Sequence, residues 1–172
     1  NVVGAGYDKY WASKGKRLLL NNELSFINRY IKKYRPNSAL DIGIGSGRIL
    51  ENYISNSYPK TIDGIDIAQS MVDACRLKFK QNKRIKNLDV CNISNEDIKF
   101  KNTYDIITAI RVLKYNENWK EIIIKLTNRL SDNGVLVFSM PNKKALIRFT
   151  QTDTPQFYST QKELIDYLHE ID

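Results

Sequence analysis

The stretch from Ala39 to Arg48, Ala-Leu-Asp-Ile-Gly-Ile-Gly-Ser-Gly-Arg, constrains this chain more than any other. A short apolar run carries one acid, Asp41. Glycines follow at 43, 45 and 47, and then an amphipathic segment, Ile49 to Tyr58. That order reads as a strand entering a tight turn and then a helix. Glycine suits such a turn because it takes positive φ freely and lets a ligand approach backbone that a Cβ would shield. The helix start leaves N–H groups without intrahelical partners, and its dipole favours electron-rich ligand atoms. The stretch is a candidate nucleotide-type binding turn.

The surrounding chain supplies a sheet for that turn. Leu24, Ile27, Tyr30 and Ile31 recur at helical spacing, predicting an amphipathic helix from Asn22 to Tyr34 that Pro36 and Asn37 stop. Strands are expected at Ser38 to Ile42, Thr61 to Ile67, Ile85 to Cys91, Tyr104 to Ile110 and Val135 to Met140, the last after a turn at Ser131 to Gly134. Helices are expected at Gln69 to Phe79, Trp119 to Leu130 and Gln161 to Glu170. Strands alternating with helices predict an α/β fold, a doubly wound, mostly parallel sheet with right-handed crossovers and helices on both faces. In such a sheet ligands bind beyond the carboxyl ends of the strands, where strand order reverses.

With 172 residues, one domain (1–172) is the expectation. Residues 1–36 form an N-terminal helical cap, 37–140 a cofactor-binding core, and 141–172 a loop and helix. No apolar run approaches the about 20 residues of a membrane helix, so no membrane partner is expected. The start lacks the charged and apolar regions of a secretory signal. Residue 1 is not Met, so the chain reads as trimmed or as a piece of something longer. Cys75 and Cys91 offer neither metal spacing nor a disulfide framework, which favours a reduced, cytoplasmic setting. The single histidine, His169, reads as a surface residue. Metal chemistry and Ser-His-Asp catalysis therefore lack the residue they most need, and no metal is expected. Net charge is +8, which fits a nucleic-acid partner, an acidic substrate or simply a solvated surface. The basic residues are spread over Lys14 to Arg17, Lys32 to Arg35, Lys78 to Lys86 and Lys143–Lys144, which favours the surface reading.

Asp41 and the three glycines spell D-x-G-x-G-x-G, which resembles motif I of the class I S-adenosylmethionine (SAM) dependent methyltransferases. A dinucleotide turn reads G-x-G-x-x-G instead, and position 48 here is Arg, which argues against a nicotinamide oxidoreductase. Gly64-Ile65-Asp66-Ile67-Ala68-Gln69-Ser70-Met71 is similar to the family's segment after the second strand. Tyr104 to Tyr115 looks like its fourth-strand segment, with Lys114-Tyr115 where two histidines are commoner, and Gly134 to Ser139 resembles its fifth strand. The resemblance spans roughly residues 37 to 140.

That resemblance implies SAM as cofactor, S-adenosylhomocysteine as product, and the following roles. Asp66 binds the ribose hydroxyls, and Ile67 and Met71 line the adenine, although a Met at helical spacing is also an ordinary core residue. Asn92 with Ile93 meets the adenine edge in place of the family's Asp; Asp89, inside the expected strand, competes for that role. Asp41 sits near the cofactor's amino group and the Gly43–Gly47 backbone near its carboxylate. Backbone at Ile110 and Arg111 passes the methionine part. Arg111, Lys114 and Tyr115 are the expected substrate contacts, or else simply the exposed start of a loop. The family's sheet has two further strands in a C-terminal hairpin, which is expected to be missing here.

A sulfonium methyl is already activated, so transfer needs mainly alignment, which by itself supplies about 7–11 kcal/mol. A general base is required only for a weakly acidic acceptor, and none is assignable. The expected function is methyl transfer to an O, N or C atom of a small-molecule acceptor. An RNA (tRNA) methyltransferase and a non-catalytic SAM-binding module of a larger protein are the alternatives. Tyr7, Tyr10 and Trp11 are candidates for a lid or for plain helix packing, and Pro141 to Thr160 holds the longest irregular stretch.

Overall fold

The computed structural model describes residues 14–100, 102–144 and 154–171. The aromatic residues Tyr7, Tyr10 and Trp11, and residues 145–153 of the irregular stretch after Pro141, lie outside them. The first described element is helix α1 (Lys14–Tyr34). It starts eight residues before the expected Asn22, because Arg17, Leu18, Leu19 and Leu20 are good helix formers with no proline among them. It ends where Arg35 takes a left-handed φ of 46° and Pro36 forbids continuation.

The chain then runs β1 (Ser38–Ile42), α2 (Arg48–Ser55), β2 (Thr61–Asp66), α3 (Gln69–Lys78), β3 (Ile85–Val90) and β4 (Tyr104–Ala109). A 3₁₀ turn (Leu113–Tyr115), α4 (Trp119–Thr127), β5 (Leu130–Phe138) and α5 (Gln161–Glu170) follow. Five parallel strands form one sheet in the order β3-β2-β1-β4-β5. This is the Rossmann-like architecture expected. Strand order reverses between β1 and β4, and there the crevice opens.

Most boundaries fall within three residues of expectation; β5 is the correction. Leu130 already pairs with Tyr104, while Ile106 pairs with Val135, so β5 advances five residues as β4 advances two. The expected turn, Ser131 to Gly134, is thus a bulge inside the strand. Ser131 Oγ donates to Asp105 Oδ1 at 2.8 Å, which anchors the bulge to β4.

Alternation along the strands builds two cores. Ala39, Ile62 and Ile106 face Ile27 and Ile31 of α1, Leu50 and Tyr53 of α2, and Val72 and Cys75 of α3. Leu40, Ile42, Ile65 and Ile107 face Ile122, Ile123 and Leu126 of α4 and Tyr167 of α5. Strands buried on both faces explain the near-continuous apolar runs. Trp119 meets Tyr167 edge-on at 5.5 Å, and the Tyr167 hydroxyl donates to the Lys120 carbonyl at 2.7 Å, docking α5 on α4. A Thr160–Glu163 capping box starts α5.

Candidate functional site

Strand β1 ends in three glycines that all take positive φ: 72° at Gly43, 50° at Gly45 and 84° at Gly47. The turn is held from β2. Gly43 and Ile44 N–H groups donate to the Ile65 carbonyl at 2.8 and 3.1 Å. Gly45 N–H donates to Asp66 Oδ2 at 2.8 Å, and Ala68 N–H donates to Asp66 Oδ1 at 2.9 Å. Asp66 thus clamps the glycine turn to the end of β2, while each of its oxygens retains a second lone pair for a ligand hydroxyl.

A cavity of about 670 Å³ opens beside this clamp, beyond the carboxyl ends of β1, β2, β3 and β4. Gly43, Gly45, Asp66, Ile67, Met71, Asn92, Ile93, Ile110, Arg111, Lys114 and Tyr115 all line it. Eleven of the thirteen residues singled out from sequence therefore line one cavity. Met71 is buried and Ile67 is 66% exposed, so the two apolar residues face the cavity from a core position and from an open rim. Asn92 lies on the wall and its side-chain oxygen accepts from Ser94 N–H at 3.2 Å. Asp89 does not line the cavity; it pairs with Lys99 at 3.6 Å from within β3.

Two expected residues are not on the wall. Asp41 is 1% exposed and points under α2, where Oδ1 accepts from Thr108 Oγ1 at 2.7 Å, and Thr108 in turn accepts from the Tyr53 hydroxyl at 3.1 Å. Its Oδ2 is buried with no hydrogen-bond partner among the described residues. Burial pushes the Asp41 carboxyl up to about 7, against the opposing pull of the Thr108 hydrogen bond and the Arg48 charge. Gly47 caps α2, and a Cβ there would lie 2.6 Å from the Phe79 ring, so this glycine serves helix–helix packing.

Sequence reasoning missed Leu20, Glu23, Arg48 and Cys91, which also line the cavity. Glu23 had a readable signal, since it is the only acid in α1 and sits among Leu20, Leu24 and Ile27 on the apolar stripe. Its partner is Arg111, whose Nε and terminal nitrogen donate to the two Glu23 oxygens at 2.9 and 2.7 Å. The two side chains are only 14–15% exposed. Arg111 itself holds φ at 64°, and its N–H donates to Ser139 Oγ at 2.7 Å, so the end of β5 braces the strained residue. Burial pushes the Cys91 thiol up, leaving it neutral. Lys114 Nζ lies 4.6 Å from the Tyr115 ring centre, and the Lys114 carbonyl accepts from Phe157 N–H at 2.7 Å.

Residues 40–136 match the family model described as a methyltransferase domain. The chain is 32% identical over 143 residues to the malonyl-[acyl-carrier protein] O-methyltransferase of Bacillus anthracis, covering 81% of this chain and 49% of that protein. It is 26% identical over 148 residues to the mitochondrial ubiquinone biosynthesis O-methyltransferase of Candida albicans, covering 77% and 45%. The chain thus spans about half the length of these relatives. In fold, an S-adenosylmethionine-dependent methyltransferase from Clostridium acetobutylicum superposes with a TM-score of 0.73 at 17% identity, over 95% of this chain and 86% of that one.

Proposed function

Because the chain belongs to the methyltransferase domain family, we propose that it transfers a methyl group from SAM to an oxygen atom of a small-molecule acceptor. The cofactor supplies the methyl as an activated sulfonium substituent. One observation carries the reading: Asp66, the glycine turn it clamps and the apolar Met71–Ile93 wall form a single cavity at the switch point of the sheet. The residues fit the cofactor. Asp66 has free lone pairs for a ribose, Ile67 and Met71 flank an adenine, and the Asn92 amide with the Ile93 backbone meets its edge. The Gly43 and Gly45 backbone approaches the amino-acid end, and Ile110 and Arg111 flank it from β4.

The acceptor enters from the β4 side, where Arg111, Lys114 and Tyr115 lie. The relatives' names support oxygen as the acceptor atom, since both are O-methyltransferases. We read residues 1–172 as one domain of a cytoplasmic protein, consistent with two buried free cysteines. No helix among the described residues is long and apolar enough to cross a membrane.

Calorimetric titration with SAM, S-adenosylhomocysteine and NADH tests the reading. Binding of the two adenosyl-sulfur ligands without NADH is expected. Binding of NADH alone overturns it.

A further inference from the structure

The β4 side of the cavity carries a two-pronged ion pair, Arg111 with Glu23. Arg111 projects from the end of β4, on the opposite side of β1 from Asp66 and Met71. Its guanidinium is already bound two-pronged to a carboxylate, that of Glu23. This parallel pair of N–H···O contacts is the geometry a guanidinium offers to any carboxylate. We propose that Arg111 is the receptor for an acceptor carboxylate and that Glu23 is the internal carboxylate an acidic acceptor displaces; this rests on the methyltransferase reading above.

Three observations converge on the exchange. Replacing one carboxylate by another keeps the half-buried Arg111 charge compensated throughout, whereas a neutral acceptor pushing Glu23 aside would strand it. Glu23 can leave by side-chain rotation, because α1 is held independently by Ile27 and Ile31, both buried in the core. Arg111 keeps its place meanwhile, since Ser139 braces its backbone.

The chemistry also matches the wall. Of its two carboxylates, Asp66 is engaged by two backbone N–H groups and Glu23 by Arg111, and the Cys91 thiol is neutral. A carboxylic acid is ionised at neutral pH and needs no base. Its oxygen forms a bond to the methyl carbon as the carbon–sulfur bond breaks. The bonding pair leaves on sulfur, no proton is released, and the product is a methyl ester.

The test is binding to the S-adenosylhomocysteine complex, measured by calorimetry. Ligands are acetate, succinate and benzoate, each beside its methyl ester, with catechol as a hydroxyl acceptor. The parent protein, Glu23→Gln and Arg111→Gln are compared. Expected is binding of at least one acid over its ester in the parent. Glu23→Gln should tighten that acid several-fold. Arg111→Gln should weaken it by about 10- to 150-fold, the scale of hydrogen bonds to a charged group. Removing the Glu23 charge favours any anion, so the gain marks the exchange only together with the loss in Arg111→Gln. The proposal is overturned if no acid binds, if acids and esters bind alike, if catechol binds in their place, or if Glu23→Gln fails to tighten the acid. If S-adenosylhomocysteine itself does not bind, the methyltransferase reading falls instead.

Discussion

Arg111 and Glu23 meet across 88 residues of chain, joining the end of β4 to α1 by two hydrogen bonds of 2.9 and 2.7 Å at the cavity wall. The pair ties the helix that precedes the sheet to the edge of the site. Because both side chains are largely out of water, each is worth more to the other than an exposed ion pair. A double-mutant cycle of Glu23→Gln and Arg111→Gln, followed by urea unfolding, should return a coupling of about 1–3 kcal/mol. Strict additivity would mean that the pair contributes nothing to holding α1.

Asp66→Ala should weaken SAM binding by about 1.5–3 kcal/mol, the scale of hydrogen bonds to a charged group. The structure adds a second effect. The Gly45 and Ala68 N–H groups lose their acceptor, so the glycine turn loosens and the melting temperature falls modestly. Titration of the folded variant separates the two. Unchanged affinity per folded molecule would remove Asp66 from the ribose role.

Gly47→Ala should act on the fold alone. Its φ of 84° is hostile to a side chain, and the new Cβ would sit 2.6 Å from the Phe79 ring. Strain and overpacking together should cost about 2–4 kcal/mol. SAM affinity of the remaining folded protein should match the parent, because Gly47 is not on the cavity wall. A selective loss of SAM binding would contradict that placement.

Asp41 should make the ligand-free protein less stable as pH rises. Its folded value, about 7, lies above the ordinary 3.8, so the folded state holds the proton more tightly. The stabilisation is complete below about pH 4 and is lost as pH climbs through 7. The slope is at most about 1.4 kcal/mol per pH unit for one proton. Asp41→Asn should abolish this component in urea midpoints taken between pH 4 and 8. Identical pH profiles would show that Asp41 is ionised throughout.

Several of these features were open to reading in the sequence. Glycines at 43, 45 and 47 announce positive φ, and all three adopt it. Asp66, Asn92 and Ile110 stand at or just beyond strand ends, which any parallel sheet brings to one edge. The residues that escaped reading depend on direction or on distant partners. Asp41 lies on the motif but alternates to the face beneath α2, where Thr108 receives it. Gly47 completes the motif yet answers to Phe79, just past the end of α3. The Ser131–Gly134 turn is a bulge because Leu130 had a partner in Tyr104 that no local pattern names.

The amino-acid order by itself determined the alternation of strands and helices, the parallel sheet and the binding turn, because backbone preference and side-chain periodicity act within a few residues. Only the tertiary structure decided that Glu23 would face Arg111, that Asp41 would be buried without a partner for Oδ2 among the described residues, and that one cavity would join the ends of four strands. Those outcomes depend on how the helices cross the sheet, and crossing geometry is settled by the packing of whole faces rather than by any short stretch of chain.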